Sequence, residues 1–142
     1  MKRIHIIDGQ GGGIGRQLIE GARARGIGAE IIAAGTNSSA TAAMVKAGAA
    51  QGATGENAVI VNARRADLIV GPAGIVIADA MLGEISPAMA AAVGQSEARK
   101  LLIPINLCNN IIVGTPSLPL RELIALAVEE MYAFCTQKAA GD

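Results

Sequence analysis

Three features of this 142-residue chain predict an α/β fold. Ile4-His5-Ile6-Ile7-Asp8 is an apolar strand that runs straight into a glycine-rich turn and then an amphipathic helix. Strand-like apolar runs and helix-period segments then alternate to the end. The composition is 51% hydrophobic yet holds no Trp, one Tyr and one Phe. The core must therefore be built from Ile, Leu, Val and Ala in tightly packed layers. Together these predict a three-layer Rossmann-like or flavodoxin-like sandwich of about five parallel strands, plus an antiparallel edge strand. One domain over residues 1–142 is expected, because a second core would leave each half too small to bury enough apolar surface.

The first strand is predicted over Arg3–Asp8. The helix behind the glycines places Ile14, Leu18, Ile19 and Ala22 on one face and is expected to end near Arg25-Gly26. Ala29–Ala34 predicts a second buried strand. Gly35-Thr36-Asn37-Ser38 reads as turn and cap, before a helix predicted from Ser39 to Lys46 and closed by Gly48. A third strand is expected around Ala49–Ala53. Glu56–Arg65 predicts a helix despite its Val-Ile-Val run, since Arg64-Arg65 suits a last turn feeding a strand at Leu68–Val70. Gly71-Pro72-Ala73-Gly74 is expected to break that strand. Residues 75–85 form a long connection in which Ile75-Val76-Ile77 reads as a short strand or a lid. Ser86-Pro87 opens a helix predicted to reach Arg99-Lys100, and Leu101–Ile105 predicts the fifth strand. Asn109-Asn110 before Ile111-Ile112-Val113-Gly114 predicts a tight reversal into the antiparallel edge strand. After Pro119, apolar residues from Leu120 to Cys135 follow the i, i+3, i+4, i+7 rule of an amphipathic helix.

The formal net charge is zero, and the 12 basic residues are dispersed apart from Lys2-Arg3, Arg64-Arg65 and Arg99-Lys100. Nucleic acid requires a concentrated basic face, so no nucleic-acid partner is expected. After Lys2-Arg3 the apolar run stops at Asp8, short of the roughly 7–15 residues of a signal peptide. No run approaches the roughly 20 residues of a membrane span. A cytoplasmic protein without a membrane partner is the expectation. Cys108 and Cys135 are far apart and fit no redox or metal-ligand spacing, so reduced thiols and no metal site are expected. A mean hydropathy of +0.43 on so short a chain predicts apolar surface buried between subunits, that is, a homo-oligomer.

Ligands of open parallel sheets lie beyond the carboxyl ends of the strands. Those ends are predicted at Asp8–Gly15, Gly35–Ser38, Thr54–Asn57, Gly71–Gly74 and Asn106–Asn110. The turn Gly9, Gln10, Gly11, Gly12, Gly13, Ile14, Gly15 supplies backbone N–H groups at a helix N-terminus, the expected cradle for a phosphate-bearing ligand. Gly9, Gly13 and Gly15 match the spacing of short-chain dehydrogenases, and Gly9, Gly11 and Gly15 are a relaxed dinucleotide fingerprint. The dehydrogenase comparison fails elsewhere, because Tyr132 has Thr136 rather than lysine four residues on. Absence of Gly-Lys-Ser/Thr argues against a P-loop phosphoryl transferase. Asp8 either accepts from a ribose hydroxyl or metal-bound water, or bonds the turn's own amides.

At the end of the second strand an NAD site usually carries an acid, and here Thr36, Asn37 and Ser38 stand instead. They favour a second anion such as a 2′-phosphate, or else merely cap the helix. Gly71 and Pro72 complete the expected cofactor-binding set. Candidate reactive groups are Glu56, which otherwise compensates a helix dipole, and Cys108, for which no partner histidine is evident. The one histidine, His5, alternates within the first strand as a core residue. Asp79 and Glu84 read as solvated loop charges.

Asp8-Gly9-Gln10-Gly11-Gly12-Gly13-Ile14-Gly15, Gly35-Thr36-Asn37, Ala47-Gly48-Ala49, Gly52-Ala53-Thr54-Gly55-Glu56-Asn57, Gly71-Pro72, Gly83-Glu84-Ile85 and Leu102-Ile103-Pro104-Ile105-Asn106 together resemble a family of short bacterial proteins classed as a domain of unknown function. The resemblance covers nearly the whole chain and implies a stand-alone bacterial protein, without supplying an activity, substrate or catalytic residue. The glycine turn is separately similar to that of dinucleotide-binding proteins. The expectation is a cytosolic protein binding NADP or another adenine nucleotide at the glycine turn. Two alternatives are an enzyme acting on a small phosphorylated metabolite through Glu56 or Cys108, and a non-catalytic oligomeric regulatory or assembly protein.

Overall fold

Ile4, Ile6 and Ile7 are fully buried because β1 (Arg3–Asp8) lies in the middle of a parallel sheet covered on both faces. The structure, a computed structural model, describes residues 1–137. β1 pairs with β2 (Glu30–Gly35) on one side and β4 (Leu68–Pro72) on the other. β3 (Gln51–Thr54) and β5 (Arg99–Ile103) form the edges, giving the order β3-β2-β1-β4-β5 with every pairing parallel. That order is Rossmann-like rather than flavodoxin-like. It places a switch point between β1 and β4, where the chain reverses direction across the sheet.

Side chains alternate across β1, so Ile4 and Ile6 face one helical layer and Ile7 the other. α1 (Gly13–Ala24), α2 (Ser38–Ala47) and α5 (Leu120–Thr136) form the first layer, packing Leu18, Ile19, Met44, Val128 and Met131 on the sheet. α3 (Glu56–Ala63) and α4 (Pro87–Gln95) form the second, with Val59, Ala63, Met89 and Val93 buried. The α/β sandwich expected from the sequence is thus present, with five parallel strands.

The antiparallel edge strand is not. Pro104 has no N–H with which to extend a ladder, and Asn106, Cys108 and Asn109 have φ of 55°, 51° and 65°, incompatible with an extended hairpin arm. Ile111 to Gly114 consequently run unpaired and exposed between β5 and α5. α4 ends at Gln95 rather than near Lys100. The Ser96 hydroxyl donates to the Ala63 carbonyl at 2.6 Å and accepts from the Ala98 amide at 3.1 Å, turning the chain out of the helix. Arg99-Lys100 then opens β5, where charges suit an edge strand.

Residues 73–85 form neither a strand nor a free lid. A 3-10 turn over Ala73–Val76 is followed by tight turns that bury Ile75, Ala80, Met81 and Ile85 against the sheet.

β4 continues through Gly71 and Pro72, which pair with Leu102 and Ile103. A Cβ at Gly71 would overlap the Ile7 carbonyl oxygen in the neighbouring strand, where backbone cannot yield. Gly71→Ala is therefore expected to cost about 1–3 kcal/mol in urea unfolding. Gly13→Ala, whose Cβ meets no atom within 4 Å, is expected to cost nothing. Equal stability of the two variants would contradict this packing.

Candidate functional site

The glycine turn is built on Asp8. Its carboxylate, 2% exposed, accepts from the Gly9 amide through Oδ1 and the Gly15 amide through Oδ2, both at 2.8 Å. Burial pushes this carboxyl up from its ordinary value, while the amides of Gly15, Gly9 and Ile14 pull it back. Of the two roles open to Asp8, the bonding of the turn's own amides is the one seen in the fold. The Gly12 amide closes the turn by donating to the Gly9 carbonyl at 2.9 Å. Gly12 itself, with φ of 75°, caps α1 and lets α2 approach so closely that a Cβ would lie 2.8 Å from Cα of Ala40.

Among the described residues, the amides of Gly11 and Gly13 take no protein acceptor. A Cβ at either position would meet nothing within 4 Å. Both lie on a shallow depression of about 150 Å³, lined also by the rest of the turn from Asp8 to Ile14 and by Gln17, Asn106 and Leu120. This depression sits at the N-terminus of α1, where the helix dipole favours negative charge.

Beside it, Glu84 enters from the connection between β4 and α4. Its Oε1 accepts from the Gln10 amide at 2.8 Å, the Thr36 hydroxyl at 2.5 Å and the Asn37 side-chain amide at 2.9 Å. The Thr36 hydroxyl above all, then the Gln10 amide, hold Glu84 below its ordinary carboxylate range despite some desolvation. Asn37 also caps α2, its Oδ1 accepting from the Ala40 amide at 2.9 Å, and its side-chain amide donates to the Gln10 carbonyl. Thr36 and Asn37, expected to receive a second anion, are thus already engaged by a carboxylate of the chain itself. Glu84 is no solvated loop charge. No local signal marks it, since its partners lie 74, 48 and 47 residues away.

A family model matches residues 3–136, nearly all of the described chain. The chain belongs to the family termed domain of unknown function DUF3842. No curated protein matches it. Among solved structures, the chain is similar to a universal stress protein crystallised in complex with cAMP, at 21% identity over 72% of this chain and 98% of that one. The TM-score is 0.41, and so distant a likeness carries no argument about a ligand.

In this DUF3842 chain the remaining expected site residues are dispersed. Ser38 is exposed on the first turn of α2. Gly71 and Pro72 are buried in β4 and present nothing to the depression. Glu56 opens α3 beyond the edge strand β3, with β2 between it and the glycine turn. Cys108 is free and exposed, and it is Asn106 of that link that lines the depression. His5 lies in the core, its Nδ1 donating to the Ile32 carbonyl at 3.2 Å. No helix among the described residues is long and apolar enough to cross a membrane.

Proposed function

We propose that this protein binds a nucleotide, with its phosphates on the amides of Gly11 and Gly13 at the N-terminus of α1. The observation that carries this reading is the division of donors within the turn. Asp8 takes the amides of Gly9 and Gly15 and is faced by that of Ile14, Glu84 takes that of Gln10 and the Gly9 carbonyl that of Gly12, while Gly11 and Gly13, whose amides take no acceptor among the described residues, line the depression. The depression stands beyond the carboxyl end of β1, beside the switch point, where open parallel sheets hold their ligands. At about 150 Å³ it is smaller than the roughly 300–1,000 Å³ of whole-ligand pockets, which suits phosphates entering while ribose and base rest on the rim. Adenine nucleotides, NAD and NADP among them, are the class to which the glycine spacing points. The two free cysteines fit a cytosolic setting, and the exposed Ile111 and Val113 fit self-association, which light scattering would read.

Thermal unfolding with NAD, NADP, ATP and GTP tests the reading. A ligand at a hundredfold its dissociation constant stabilises by about 2.7 kcal/mol, several degrees for a chain of this size. Gly13→Asp is expected to abolish that shift by placing a carboxylate on the depression, while the ligand-free variant unfolds like the parent. A shift that survives Gly13→Asp, or none with any nucleotide, would exclude the site.

A further inference from the structure

The acid that a ribose-binding site usually carries at the end of the second strand is absent from β2, yet an acid stands there in the fold. The β4–α4 connection turns through Asp79, Met81 and Leu82, with φ of 66°, 59° and 57°, and Gly83, with φ of 88°, to deliver Glu84 onto Thr36 and Asn37. Space for it is kept at Gly9, where a Cβ would stand 2.5 Å from the Thr36 hydroxyl and 2.9 Å from Glu84 Oε1. Three neutral donors converge on Oε1, fixing the carboxylate in place without neutralising it. Among the described residues Oε2 takes no partner, and Gln10, bonded to Oε1, directly precedes Gly11. An ionised carboxylate only accepts hydrogen bonds. A ribose diol offers two donors to it, whereas a 2′-phosphate offers acceptor oxygens and further negative charge.

We propose that Glu84 reads the ribose: Oε2 accepts from a hydroxyl of the 2′,3′-diol of a nucleotide whose phosphates lie on Gly11 and Gly13. The site therefore takes nucleotides with an unsubstituted diol and rejects 2′-phosphorylated ones. This rests on the nucleotide-binding reading above and reverses the preference for a 2′-phosphate that Thr36, Asn37 and Ser38 favoured in the sequence alone.

Titration calorimetry of NAD and NADP against the parent and Glu84→Gln tests it, because the amide keeps an oxygen for the three donors while it removes the charge and puts an NH2 donor where Oε2 would accept. The parent is expected to bind NAD about tenfold or more tighter than NADP, the scale of one uncompensated like-charge contact near a protein surface. Glu84→Gln should weaken NAD and bring the ratio close to one. Thr36→Val, which removes one donor but keeps the charge, should retain the preference for NAD. Equal binding of NAD and NADP by the parent would leave nucleotide binding standing and overturn the role of Glu84. So would an unchanged ratio in Glu84→Gln, or tighter NAD binding by that variant, which would mean that the carboxylate merely occupies an anion's place. No binding of either dinucleotide would overturn this assignment, and the reading on which it rests would fall with it only if ATP and GTP also leave thermal unfolding unchanged.

Discussion

Asp8→Ala is expected to destabilise the protein by about 3 kcal/mol or more, since each buried amide stripped of its acceptor costs about 1–3 kcal/mol. Two amides, those of Gly9 and Gly15, lose a partner at 2.8 Å. The amide of Ile14 also faces this carboxyl. Water does not readily replace the carboxylate, which is 2% exposed beneath the turn. Asp8→Asn should fall between the parent and Asp8→Ala, because it keeps one acceptor oxygen and aims a donor at the other amide. Urea unfolding of the three proteins at neutral pH reads this order. An Asp8→Ala variant as stable as the parent would show that the turn holds its shape without this group.

Acidification is expected to cost about 3 kcal/mol through His5 alone. Burial lowers its pKa from 6.5 to about 4, partly offset by its bond to the Ile32 carbonyl. Among the described residues its buried Nε2 has no partner. The folded state therefore keeps the ring neutral where the unfolded chain already takes up a proton. Above pH 6.5 both states are neutral and stability does not depend on this group. Between 6.5 and about 4 the unfolded chain gains the proton first and stability falls, levelling off below the folded pKa. Asp8 works in the opposite sense: its raised folded pKa makes the folded state protonate first, adding stability as pH falls from that raised value toward 3.8. His5→Leu, of similar size and without the orphaned nitrogen, should remove the loss between 6.5 and 4. A fall in urea midpoint from pH 7.5 to 5 that is the same in the parent and in His5→Leu would contradict the buried, neutral histidine.

How far the sequence reaches is visible element by element. β1 is predicted over the same six residues that form it, because a strand buried on both faces is a continuous apolar run. α5 follows from its apolar stripe, and the cap at Asn37 from the preference of short polar side chains for helix starts. The edge strand fails because Ile111-Ile112-Val113 carries strand-forming side chains, while its fate depends on backbone at Asn106, Cys108 and Asn109 that turns the chain away from β5. The end of α4 is missed because Ser96 is bound by Ala63, 33 residues earlier.

Local patterns by themselves determined that this is an α/β protein with a glycine turn before its first helix. Hydrophobic period, glycine placement and caps are properties of neighbours in the chain. Tertiary structure alone decided the strand order, the inward aim of Asp8 and the arrival of Glu84 on Gln10 across 74 residues. Such contacts are chosen by how layers pack and by which buried donors still need an acceptor. The character of the turn was therefore legible in the sequence, while the question of which of its amides find a partner within the chain was settled only by the fold.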